Sequence, residues 1–86
     1  MHSNRTISIN GFGAVEQPDG SYLNNMGTIL WYNELGEYNR EDGPALIYAN
    51  GKVRWCLKNK IYSFDRWCIK LNKPAEDAMM LRLRYG

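Results

Sequence analysis

Apolar and polar residues alternate through most of this chain, and after Ile61-Tyr62 the apolar ones recur every three to four residues instead. Period two belongs to strands with one buried face, and the longer period to helices. Thr6-Ile7-Ser8-Ile9-Asn10 alternates over five residues and predicts a half-buried strand, which Gly11 and Gly13 end on either side of Phe12. Residues 14–17 predict a second short strand, closed by the turn signal Pro18-Asp19-Gly20. Ser21-Tyr22-Leu23 follows, then the polar punctuation of Asn24-Asn25. Residues 28–33 are rich in strand formers, and Glu34-Leu35-Gly36-Glu37 turns them. Arg40-Glu41-Asp42-Gly43-Pro44 is a further break. The apolar runs at 45–49 and 52–57 are joined by Asn50-Gly51, which predicts a hairpin with a type I′ turn, positive φ at both central residues.

In the last third, Phe64, Trp67, Cys68 and Leu71 stand at i, i+3, i+4 and i+7, one face of a helix. Ser63 fits its N-cap, and Asp65 suits the positive end of its dipole. Asn72-Lys73 breaks it, and Pro74 then stands as the first residue of a second helix, with Glu76 and Asp77 in the opening turn. Ala75, Met79 and Leu83 form an apolar stripe there, which Ala78, Leu81 and Tyr85 widen. The expected fold class is therefore α+β: an antiparallel meander of five or six short strands followed by two short C-terminal helices. Eighty-six residues make one domain, with hairpins over about 6–62 and a helical cap over about 63–85.

The chain also repeats itself. Gly27-Thr28-Ile29-Leu30-Trp31 aligns with Gly51-Lys52-Val53-Arg54-Trp55 at a spacing of 24, and Tyr38 then falls on Tyr62. A fixed period of this size marks one supersecondary unit used more than once. Trp31 and Trp55 share a repeat position, so they are expected in the core ladder between hairpins, with Tyr32 and Tyr48 showing a face.

Charge is divided along the sequence. Residues 1–50 carry Arg5 and Arg40 against six carboxylates, a net −4, and residues 51–86 carry nine Lys or Arg against three, a net +6. Such asymmetry suits either a basic surface for nucleic acid or an acidic protein, or a pairing of the two halves within or between copies. The longest apolar run, Ala78-Met79-Met80-Leu81, spans no membrane, and the N-terminus has no signal-peptide core, so the chain is expected in the cytoplasm. Cys56 and Cys68 are expected as reduced, buried thiols.

Candidate chemistry is sparse. His2 is the one histidine, which leaves a serine or cysteine nucleophile without a plausible base, and His2 with two cysteines is no zinc set. Gly11-Phe12-Gly13 lacks the remainder of a phosphate loop. Glu41 and Asp42 are adjacent, hence on opposite faces of an extended chain, and the expected partner of Arg40 is one of them, bracing the turn before Pro44. No catalytic residue, metal site or cofactor is expected. The basic residues Lys52, Arg54, Lys58 and Lys60 are the candidate contact surface for RNA or a protein partner: Lys52 and Arg54 alternate with Val53 and Trp55, and Lys58 and Lys60 extend the series at the next turn.

Trp31, Tyr32, Gly36, Arg40, Glu41, Asp42, Gly43, Pro44, Ala45, Tyr48, Gly51 and Trp55 together resemble the repeat unit of MORN-like, YwqK-type antitoxin-related proteins. Such proteins are common in large tailed phages, nucleocytoplasmic DNA viruses and some bacteria. The second copy departs from the pattern: Ser63-Phe64-Asp65-Arg66-Trp67 stands where Arg-Glu-Asp-Gly-Pro would recur, which implies a capped small domain rather than a long array. The tail, from Phe64 through Asn72-Lys73 to the acidic-then-apolar helix, resembles small proteins of T-even-type phages. The resemblance implies stacked hairpins without enzymatic activity. The repeat itself implies no one shared partner, but a recurring role among small phage proteins of this size sets the expectation for this chain: an accessory protein in the infected host's cytoplasm that binds and inhibits a host defence component, such as a toxin–antitoxin endoribonuclease, with RNA in the complex. The alternative it leaves open is a self-associating assembly module, a homodimer through its acidic and basic halves.

Overall fold

The computed structural model describes residues 14–85, so the strand expected at residues 6–10 lies outside the described residues, as does His2. Six strands follow one another in sequence and in space: β1 (Val15–Glu16), β2 (Tyr22–Leu23), β3 (Ile29–Leu30), β4 (Leu46–Ile47), β5 (Val53–Leu57) and β6 (Lys60–Tyr62). They pair antiparallel in the order β1-β2-β3-β4-β5-β6, and helices α1 (Phe64–Leu71) and α2 (Ala75–Tyr85) follow them. The expected α+β meander with two C-terminal helices is the observed architecture.

Short polar residues and glycines set the strand ends. At residues 17–21, 24–28, 33–37 and 48–52 the first N–H donates to the fifth carbonyl, at 2.7–3.1 Å, and the fourth residue, always glycine, donates back to the first. These glycines (Gly20, Gly27, Gly36, Gly51) all hold φ between 78° and 96°. An Asp or Asn side chain completes each turn. Asn24 and Asn33 accept from the backbone two and four residues on, and Asp19 and Asn50 from two residues on. Here the sequence expectation needs correction. At Asn50-Gly51 only Gly51 has positive φ, so the link is a type I turn with a glycine bulge. The two-residue turn with both central φ positive occurs one hairpin later, at Lys58 (51°) and Asn59 (69°). Asn59 tolerates that conformation well, and its side-chain carbonyl accepts from Tyr38 N–H at 2.7 Å.

Register sorts the side chains into rows. Tyr22, Leu30, Leu46 and Arg54 are successive cross-strand partners, and so are Val15, Leu23, Ile29, Ile47 and Val53 on the opposite face. The first row holds the buried Leu30 and Leu46, which pack with Ala14, Ala45 and Cys56 beneath Tyr22, Trp31, Tyr32, Tyr38 and Tyr48. In the second row Val15 and Leu23 stay exposed. Ala45 N–H donates to Arg54 O (2.9 Å) although Leu46 is the register partner of Arg54, so two residues face one. This bulge is how both Ala45 and Leu46 turn inward.

The helices form a second aromatic centre. Ser63 caps α1 by accepting from Arg66 N–H, and Asn72 ends it at φ 53°. Trp67, wholly buried, packs on Trp55 with ring centroids 4.7 Å apart, and Phe64 and Tyr85 meet Trp55 at 4.8 and 5.9 Å. The stripe expected to bury α2 is corrected: Ala75, Met79 and Leu83 are exposed, and Ala78, Leu81 and Tyr85 face the protein half-buried. Ala75 rather than Pro74 opens that helix, with Pro74 O accepting its first internal bond.

Candidate functional site

The most distinctive segment of the sequence, Arg40 through Pro44, is a brace. The Arg40 guanidinium lies over the Trp31 ring at 4.2 Å, donates to Asp42 Oδ1 at 2.8 Å and to Pro44 O at 3.1 Å. Gly43 leaves the space it needs: a Cβ there would stand 2.8 Å from Arg40 Cζ. Pro44 is fully buried, and Arg40 O accepts from Trp67 Nε1 at 3.1 Å. Glu41 is exposed and outside this network. The expected pairing of Arg40 with a neighbouring carboxylate therefore falls on Asp42.

One period later, α1 does the same work with different chemistry. Where Arg40 covers Trp31, Phe64 and Trp67 cover Trp55. Trp55 is accordingly buried, and Trp31 is half-buried under its cation, its Nε1 enclosed without a hydrogen-bond partner. Tyr32 and Tyr48, expected to show a face, are both half-buried against the core, Tyr32 stacked on Tyr38 at 5.3 Å.

The thiols are free, Cys56 buried and Cys68 only half-buried. Burial pushes both above the ordinary thiol range, and the Asp65 charge adds to the effect at Cys68. Arg54 beside Cys56, and Lys73 and Arg82 beside Cys68, pull the other way without outweighing burial, so neither thiol is activated towards the thiolate. Among the described residues no group of three or more His, Cys, Asp or Glu could hold a metal ion, and no helix is long and apolar enough to cross a membrane.

The cations divide differently from the sequence expectation. Lys52, Arg54, Lys58 and Lys60 are all exposed. However, Lys52 stands at the start of β5 and Lys58 beyond its far end, roughly 17–20 Å away along an extended strand. Arg54 turns towards Tyr48, its guanidinium 5.9 Å from the ring. Lys58 and Lys60 instead join Lys70 of α1 around a hollow of about 330 Å³, together with Tyr62 and Glu41. A neighbouring hollow of about 490 Å³ is lined by Tyr62, Arg66, Ile69 and Lys70. The fold thus gathers Lys58, Lys60, Arg66 and Lys70 around Tyr62.

Arg66 and Lys70 were missing from the sequence-derived set. Their signal was present as a basic pair at i and i+4 on α1, but only the β5–β6 hairpin brings them beside Lys58 and Lys60. Among the described residues the two ion pairs are Arg40–Asp42 and Arg82–Asp65, each within one half of the chain. Among the described residues no ion pair joins the acidic and basic halves, and none holds any of the four gathered cations. Compared with protein-family models, curated proteins and solved structures, the chain matches none.

Proposed function

We propose that this is a non-enzymatic binding protein whose Lys58, Lys60, Arg66 and Lys70 contact the backbone of RNA. The observation that carries this reading is the set of four exposed cations on the β5–β6 hairpin and α1, in no ion pair among the described residues and arranged around the half-buried Tyr62. Cations held at several points along a surface meet phosphates through charge and counterion release. An aromatic ring between them offers a base somewhere to stack. Glu41, at the rim of the same hollow, would repel a phosphate at that edge and so favours approach from the Arg66 and Lys70 side. Lys52 and Arg54 belong to a separate patch at the other end of β5 and contribute less in this reading.

The narrower role is inhibition of a host defence protein, a nuclease toxin with RNA in the complex, in a phage-infected bacterium. Its support is the resemblance of the Trp31–Trp55 repeat and of the tail, together with a surface suited to RNA. Affinity capture from bacterial lysate, with and without ribonuclease, tests it. A captured protein that disappears after ribonuclease treatment is the expected result. A partner retained after ribonuclease, with no RNA recovered from the untreated sample, would overturn the RNA-assisted reading.

A further inference from the structure

We infer that α2 is the contact between two copies of this chain, packed antiparallel about a two-fold axis. Not one residue of α2 is buried, and Met79, Met80 and Leu83 are 64%, 68% and 78% exposed. An eleven-residue helix is too short to be held by propensity alone. Its own chain anchors it at few points, notably Tyr85 on Trp55 and Arg82 on Asp65 at 3.0 Å. Glu76, Met80 and Leu83 follow one another at i, i+4 and i+7, a single stripe with Met79 alongside.

Charge chooses the occupant and its direction. Glu76 and Asp77 lie in the first turn of α2, Arg82 and Arg84 in the last. A second α2 laid parallel would set like charges level with each other. Laid antiparallel with Met80 on the axis, it sets Glu76 of each copy level with Arg84 of the other, four residues or about 6 Å on either side. The hollow of about 650 Å³ between α1 and α2, lined by Phe64, Cys68, Ile69, Ala78 and Met79 among others, lies alongside and leaves room for apolar side chains of the second helix. Ile69 lines hollows on both sides of α1, but Glu76, Met80, Leu83 and Arg84 lie outside the cation cluster, so the inference stands apart from the RNA reading.

Light scattering on the full chain tests it. The wild type is expected at twice its 10.0 kDa chain mass, falling to the monomer on dilution. Glu76→Arg alone and Arg84→Glu alone are each expected to be monomers, because each sets like charges level. An equimolar mixture of the two is expected to regain the doubled mass, since every pair is then opposite in sign, and misfolding could not produce that recovery. A wild type that stays monomeric at every concentration, a doubled mass that neither variant reduces, or variants that fail to recover on mixing would each overturn it.

Discussion

At the scale of single residues, the four five-residue turns show how little chain is needed to set a register. Each places glycine where φ is positive and an Asp or Asn where a side-chain oxygen can accept from backbone N–H groups. Gly51 isolates the first requirement, because a Cβ there would meet nothing within 4 Å. Gly51→Ala is therefore expected to cost about 1–2 kcal/mol through backbone conformation alone. At Gly27 an added Cβ would also press on Ala49 Cβ at 3.3 Å, so Gly27→Ala is expected to cost more. Urea unfolding of the two variants checks the order, and equal losses would contradict it. The turn glycines were legible in the sequence; the turn type at Asn50-Gly51 was not. Asn50 could serve either with its own φ positive or with its side chain accepting from Lys52 N–H, and the fold uses the second.

At the scale of elements, the period of 24 is a change of lid over a constant tryptophan. Arg40, fixed by Asp42 and Pro44, covers Trp31, and the aromatic face of α1 covers Trp55. The replacement of Arg-Glu-Asp-Gly-Pro by a helix start is thus what ends the repeat. Trp67 joins the two, its ring tilted against Trp55 and its Nε1–H donating to Arg40 O. Trp67→Ala is expected to cost about 3–5 kcal/mol, enough to threaten the fold of so small a domain. Trp67→Phe keeps most of the packing but leaves Arg40 O without this donor, and is expected to lose less. Thermal unfolding distinguishes them, and a Trp67→Ala variant as stable as Trp67→Phe would show that α1 is not a lid. The helical period at Phe64, Trp67, Cys68 and Leu71 announced this packing. No equivalent signal marked the buried side of α2, where apolar residues occupy too many positions to select a face.

Across the whole molecule, the candidate site was half legible. Net charge by halves pointed to the C-terminal region, and alternation along β5 proposed Lys52, Arg54, Lys58 and Lys60 as one surface. A strand is long compared with a phosphate spacing, however, and its two ends face different neighbours. The fold therefore separates Lys52 from Lys58 and adds Arg66 and Lys70, whose proximity depends on the tight β5–β6 turn followed directly by α1.

The most direct test of the cation cluster is the affinity of single-stranded RNA for the full chain, measured against salt, beside a variant with Lys58, Lys60, Arg66 and Lys70 all replaced by Ala. The wild type is expected to lose on the order of tenfold or more in affinity between roughly 50 and 200 mM salt. The variant, folded by circular dichroism, is expected to bind weakly, with a log–log salt slope shallower by roughly three if each cation meets one phosphate. A variant that keeps the wild-type affinity and slope would contradict the account and remove this face as the contact.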